Sequence, residues 1–196
     1  MKILLIICIP IFLGSCSLFS PVPDDPVRHL LEAAVSPRTA NSSSPAVAIA
    51  RPSIPPYLER SELVTRSGAG TLEIHEKDLW SEPLDSGISR VLADNLRRLT
   101  RSTNIQPSGN FITQDYSVLV EVRIERFDPL PDGSLVLECT WKAQPVRGGV
   151  AAPRSFRTTV PVVAISGEGI NTGKRGRIVA MNEALARLSR AISKAL

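Results

Sequence analysis

The chain has 196 residues, 43% hydrophobic and 21% charged, a balance that excludes wholesale disorder, a collagen-like repeat and a multi-span membrane protein. Lys and Arg total 23 against 19 Asp and Glu, so the net charge of +4 is too small and too dispersed to mark a nucleic-acid partner. Sixteen prolines and twelve glycines beside only 5% aromatic residues predict short elements joined by stiff turns.

Lys2 precedes an apolar run, Ile3 to Leu13, broken only by Pro10 and followed by the small residues Gly14 and Ser15. As a helix the run would reach roughly 16 Å, well short of the roughly 30 Å hydrocarbon core a permanent anchor must cross. It has the three parts of a secretory signal. Its end, Leu13-Gly14-Ser15-Cys16, resembles the bacterial lipobox. What that resemblance implies is diacylglycerol on the Cys16 thiol, cleavage ahead of it at the end of residues 1–15, and acylation, palmitate included, of the new amino terminus. Two or three chains, at about 0.8 kcal/mol per buried CH₂, would hold the protein at its membrane. Ser17 stands where an inner-membrane lipoprotein often carries Asp, which implies the periplasmic face of the outer membrane.

Residues 16–26 read as the lipidated end and a proline-rich linker, reaching at most roughly 36 Å, ahead of a single α+β domain over 27–196. Strands are expected at Val27–Ala34, Ala46–Arg51, Glu62–Arg66 and Thr71–His75. Between the first two lies a Ser-rich stretch, Ser36 to Pro45, with an Asn-x-Ser sequon at Asn41. It reads as an exposed loop. Ser81 is placed to cap a helix whose first turn holds Glu82 and Pro83. Leu84, Ile88, Val91, Leu92, Leu96 and Leu99 form its apolar stripe.

The strongest strand signal is Ser117–Phe127, where Val118, Val120, Val122 and Ile124 alternate with Glu121, Arg123 and Glu125. After the turn Asp128 to Gly133 the alternation resumes through Leu135, Leu137, Cys139 and Trp141, which predicts a β-hairpin. Ser155–Ile165 carries Pro161 and reads as an edge strand. Gly167 to Arg175 reads as a solvated basic loop, and a second amphipathic helix runs from about Arg177 through Ile178, Met181, Leu185, Leu188 and Ile192. The sum is a two-layer α+β fold, a mostly antiparallel sheet with two amphipathic helices on one face.

No catalytic constellation emerges. His29 and His75 are the only histidines, no His-Glu-x-x-His helix or Gly-x-Ser-x-Gly elbow is present, and Gly167 to Arg175 lacks the Walker spacing. No cofactor or metal ion is expected. Once Cys8 leaves with the signal and Cys16 carries lipid, Cys139 is the remaining thiol, at an inward strand position that predicts burial.

One block is more specific. Ile54-Pro55-Pro56-Tyr57-Leu58-Glu59-Arg60, then Leu63-Val64-Thr65-Arg66, then Leu79-Trp80-Ser81-Glu82-Pro83-Leu84 and a helix through Val91 to Leu96 resembles the ABC-type transport auxiliary lipoprotein family, that of paraquat-inducible protein C. Two places depart from the family pattern: Arg28-His29-Leu30-Leu31 replaces a tyrosine pair, and the segment before the last helix is unusually basic. The resemblance implies a non-enzymatic component of a mammalian-cell-entry (MCE) system, which moves lipid between two membranes. The lipoprotein would dock the MCE tunnel and assemble as a homo-oligomer. Tyr57, Arg60, Trp80 and Pro83 match the motif, where they either fix the turn and helix entry or meet the partner. A periplasmic binder of a small apolar ligand and a cell-envelope assembly lipoprotein are the alternatives.

Overall fold

The computed structural model describes residues 25–36, 46–110, 115–163 and 172–196. The signal, Cys16 and the Asn41 sequon lie outside the described residues, as do positions 164–171, which hold the end of the expected edge strand and the beginning of the basic stretch.

Among the described residues, eight strands and two α-helices make up the fold. In chain order they are β1 Val27–His29, β2 Val47–Ile49, β3 Glu62–Gly68, β4 Thr71–Trp80, α1 Leu84–Thr100, β5 Ile105–Pro107, β6 Val118–Pro129, β7 Ser134–Pro145, β8 Arg154–Pro161 and α2 Thr172–Ser193. The strands form two sheets, β1-β4-β3 and β5-β2-β6-β7-β8. The α+β class holds. The long pairings β3–β4, β6–β7 and β7–β8 are antiparallel, while the three-residue strands β1 and β2 join in parallel. As Pro161 suggests, β8 is an edge strand.

The alternation in β6 and β7 sorts the larger sheet into two faces. Val120, Val122, Ile124, Leu135, Leu137, Cys139 and Trp141 are buried on one, and Glu121, Arg123, Glu125, Thr140 and Lys142 occupy the other. Helix α1 packs against β5 and β2, α2 against β7 and β8, and the helices touch each other over this apolar face. Ile88, Val91, Leu92 and Leu96 of α1 and Met181, Leu185, Leu188 and Ile192 of α2 join the same core. At about 25 cal/mol per Å² of apolar surface buried, this interface dominates the stability.

Four local expectations are corrected. The cap of α1 is Pro83, not Ser81, and it makes no side-chain hydrogen bond. Ser81 sits in a bend just past β4, where its backbone N–H donates to the His29 carbonyl at 2.8 Å and so prolongs the β1–β4 contact. β1 ends at His29 rather than Ala34, since the following backbone is satisfied by side chains. Arg90 donates to Leu31 O, Arg98 to Ala33 O and Val35 O, and the N–H groups of Val35 and Glu32 donate to Asn95 and Asn182. β8 stops at Pro161, beyond which the Val162 N–H turns to Gly133 O. Finally, α2 begins at Thr172, so Lys174 and Arg175 are helical rather than loop residues.

Gly176 lets α2 approach the chain that follows β8. A Cβ there would lie 2.3 Å from the Val163 carbonyl oxygen, a backbone atom that no rotamer change can move. Helix propensity alone predicts that Gly176→Ala stabilises by about 1 kcal/mol. The contact reverses that sign, and the expected result is a loss of about 1–3 kcal/mol in urea unfolding. A variant more stable than wild type would refute the close approach.

Candidate functional site

The family-motif residues divide between two places. Arg60, Trp80 and Pro83 come together around a half-open groove of about 470 Å³, whose wall also includes Ile54, Glu59, Ser61, Glu82 and Asp85. Trp80 ends β4 and is buried in the core, with its backbone N–H donated to Ser61 O at 2.6 Å. Pro83 turns the chain into α1 with ψ 133°. Arg60 stands at the rim in an exposed pair with Glu62 at 3.4 Å, a contact of little energetic weight.

Glu82 forms the corner of the groove. Its carboxylate takes the Arg90 guanidinium and lies at the N-terminal end of α1, where the helix dipole favours a negative charge. It also passes directly over Gly87, where a Cβ would stand 3.0 Å from Glu82 Oε1. On the far side, Arg51 pairs with Asp85 at 3.3 Å and donates to Ser86 at 2.5 Å. Both signs of charge thus ring an opening with Ile54 and Trp80 at its base. Such a surface suits a polar protein segment better than a wholly apolar ligand.

Tyr57 is elsewhere. It lies in a short 3-10 turn, Pro56–Leu58, and donates its hydroxyl to Asp128 Oδ1 at 2.7 Å. Asp128 is 0% exposed and accepts two further bonds on Oδ2, from Arg66 Nε at 2.9 Å and Arg126 Nε at 3.3 Å. Burial, then the Asp128 hydrogen bond and charge, push the Tyr57 hydroxyl up to about 12. The Arg66 guanidinium sits 5.9 Å from the centre of the Tyr57 ring.

A β-bulge creates this cluster. The β6–β7 register shifts between Ile124 and Arg126, leaving Glu125 as the extra residue. Strict alternation from Val120, Val122 and Ile124 would send Arg126 and Asp128 into the helix-covered face. The bulge instead points Phe127 inward and carries Arg126 and Asp128 to the opposite face, where β3 and the Tyr57 turn meet them. Sequence reasoning missed Asp128, reading it as the first residue of a turn. The signal available was an Asp on the same face as Arg126 and close before two prolines.

A second buried carboxylate ties β4 to α2. Asp78, 1% exposed, accepts from His29 Nε2 at 3.0 Å and from Lys174 Nζ at 2.9 Å. Burial pushes its carboxyl up, but the Lys174 and His29 contacts together outweigh that and hold it below the usual carboxylate range. One turn on, Arg177 Nη1 lies 3.2 Å from His75 Nε2, which Thr65 Oγ1 also reaches at 2.9 Å. Arginine can only donate, so Nε2 is an acceptor and the ring is neutral. Burial, followed by the Arg177 charge, lowers the His75 pKa. Lys174 is therefore a fixed structural charge rather than part of a solvated loop.

Cys139 is buried, and its thiol is pushed up to about 12 by burial and then by Glu125, so it is not a nucleophile as placed. Among the described residues, no three His, Cys, Asp or Glu side chains are grouped to hold a metal ion, and no helix is long and apolar enough to cross a membrane.

The fold, two helices over a mixed five-stranded sheet, is similar to that of solved structures. Protein XCC0632 from Xanthomonas campestris is similar with a TM-score of 0.65 at 15% identity, over 85% of this chain and 92% of that one. An uncharacterized protein is similar with a TM-score of 0.63 at 16% identity, over 84% and 98%. A dodecameric PelC from Paraburkholderia phytofirmans scores 0.44 at 13% identity, over 78% and 90%. At these identities the likeness to the first two is one of fold. No curated protein matches this chain. The model of the ABC-type transport auxiliary lipoprotein component matches residues 29–193, and the chain belongs to that family. It is thus a lipoprotein-family auxiliary component of a transport system.

Proposed function

We propose that the chain is a non-enzymatic docking component of an MCE-type intermembrane lipid transport system, anchored through Cys16 to the periplasmic face of the outer membrane. The observation that carries this reading is the family match over residues 29–193 directly behind a lipobox ending at Cys16. Residues 1–15 are the discarded signal, 16–26 the tether and 27–196 the docking domain. The motif groove at Arg60, Trp80 and Pro83 receives the MCE partner. Its ring of Glu59, Arg60, Glu82 and Asp85 favours a polar protein surface over the rival reading, a carrier of small apolar ligands.

The test is cross-linking in cells followed by recovery of the anchored protein. An MCE-domain protein is expected in the recovered complex, reduced several-fold by Arg60→Glu, which reverses a rim charge without touching the core. Recovery of no MCE protein, with an apolar small molecule in the purified chain, would establish the carrier instead. The anchor is read separately, because Cys16→Ala is expected to abolish fatty-acid labelling. Unchanged labelling would refute it.

A further inference from the structure

We propose that the cleft between the β3–β4 turn and the beginning of the β6–β7 turn binds a phosphate-class oxyanion between Arg66 and Arg126. This is a different surface from the motif groove and does not depend on the docking role.

Charge is the first argument. Asp128 carries one negative charge, and a single arginine with the Tyr57 hydroxyl would satisfy it. Two guanidinium groups converge on the same Oδ2 instead, at 2.9 and 3.3 Å. The cluster is left with one positive charge in excess. Among the described residues, nearby carboxylates of that face pair elsewhere, Glu138 with Arg157, Glu125 with Arg123 and Glu121 with Lys142. Two guanidinium groups held on one oxygen repel each other, and an anion lying across both would relieve that repulsion.

The donors left over have the right chemistry. Each arginine meets Asp128 through Nε, and Arg66 also bonds the Tyr57 hydroxyl, which leaves terminal N–H groups on both for a second acceptor. Arginine forks match phosphate geometry and bind it in pairs of hydrogen bonds. The arginines also come from different strands, and their buried carboxylate fixes the distance between them before any ligand arrives.

Space is the third argument. Both arginines line an open cleft of about 590 Å³ with Gly68, Ala69, Gly70 and Pro131. None of these turn residues bears a carboxylate. Nothing stands within 4 Å of where a Cβ of Gly68 or Gly70 would be, so the approach is unobstructed. Gly70 holds φ +74°, a conformation that side chains rarely adopt, which keeps this wall bare. The cleft admits a phosphate group from solvent but offers no apolar channel for an acyl chain. A lipid headgroup and free phosphate are therefore the two sources of one ligand chemistry.

The test is a titration of the isotope-labelled full chain in maltoside detergent, following arginine Nε–H resonances. One arm uses inorganic phosphate and the other dihexanoyl phosphatidate. Saturable shifts at Arg66 and Arg126 are expected, with affinity about tenfold lower in Arg126→Gln, the loss typical of a charge-assisted pair. Arg154→Gln, which removes an exposed charge at the start of β8, opposite Trp141 and away from the cleft, should leave affinity unchanged. Arg126→Lys keeps the charge on Asp128 but not the fork, so it should fold and still bind several-fold more weakly. Tighter binding of phosphatidate assigns the headgroup as the source, and equal or weaker binding assigns free phosphate. Absence of saturation with both probes, or wild-type affinity in Arg126→Gln or Arg126→Lys, would overturn the proposal.

Discussion

Asp128→Ala is expected to destabilise the protein by about 3 kcal/mol, because truncation strands three groups that a buried carboxylate now satisfies. Removing one partner of a buried ion pair commonly costs about 3–5 kcal/mol. The lower end applies here, since Arg66 and Arg126 are each about a quarter exposed and can turn toward water once released. Tyr57 has less freedom, as its turn is held by Leu58 N–H to Pro55 O and Glu59 N–H to Pro56 O. For a chain of this size the loss corresponds to a fall of about 6–12 °C in Tm. The same variant has a spectroscopic signature. Burial would remain as the largest cause raising the Tyr57 hydroxyl, while the Asp128 hydrogen bond and charge would be gone, so its titration should move down from about 12. Ultraviolet absorbance against pH reads that shift. A Tm within 2 °C of wild type, or an unmoved tyrosine titration, would show that Asp128 is not the centre of the cluster.

That residue also marks where the sequence stops being legible. Alternation over Val118 to Ile124 identifies β6, its buried face and the hairpin partner, because side chains on a strand repeat every two residues. The same rule fails at Glu125. A bulge has no signature in composition, and one extra residue inverts every later position. Hence Phe127 in the core and Asp128 beneath Tyr57 follow from the pairing with β7 rather than from the local pattern.

The stretch after β1 fails for a related reason. Leu30 to Ala34 is apolar enough to read as a strand, but strand assignment depends on which groups satisfy its backbone. Here Arg90 and Arg98 donate to carbonyls of the stretch while Asn95 and Asn182 accept from its N–H groups, and Arg90, Arg98 and Asn95 lie on α1 about 60 residues away. Arginines that look like a solvated helix face are in fact pinning the chain across the helix. The helical stripes of α1 and α2 were readable because burial itself sets their period. Of the four motif residues, Arg60, Trp80 and Pro83 fall at one groove because β4 ends where α1 begins. Tyr57 does not, since its hydroxyl is drawn to a carboxylate that only the bulge delivers.

Asp78→Ala should cost about 3 kcal/mol as well, with its effect concentrated at the start of α2. Asp78 is the joint between β1, β4 and α2, contacting His29 on one side and Lys174 on the other. Without it His29 stays buried beside an empty position, while Lys174, nearly a third exposed, returns to solvent and releases the first turn of the helix. Amide exchange should therefore rise most over residues 173–178. The joint also fixes the shape of the acid limb. Asp78 titrates lower in the folded chain than its unfolded value of 3.8, so its contribution is complete above that pH and is lost as pH falls through the folded value. His75 acts earlier. Its folded pKa lies below the ordinary 6.5, so the unfolded chain takes up the proton first, and stability declines as pH drops below about 6.5. His75→Gln should flatten that first decline while leaving the limb below 3.8, and Asp78→Ala should shrink the lower limb to what Asp132 contributes. A pH profile unchanged in both variants would mean that the attachment of α2 to β4 does not rest on these charges.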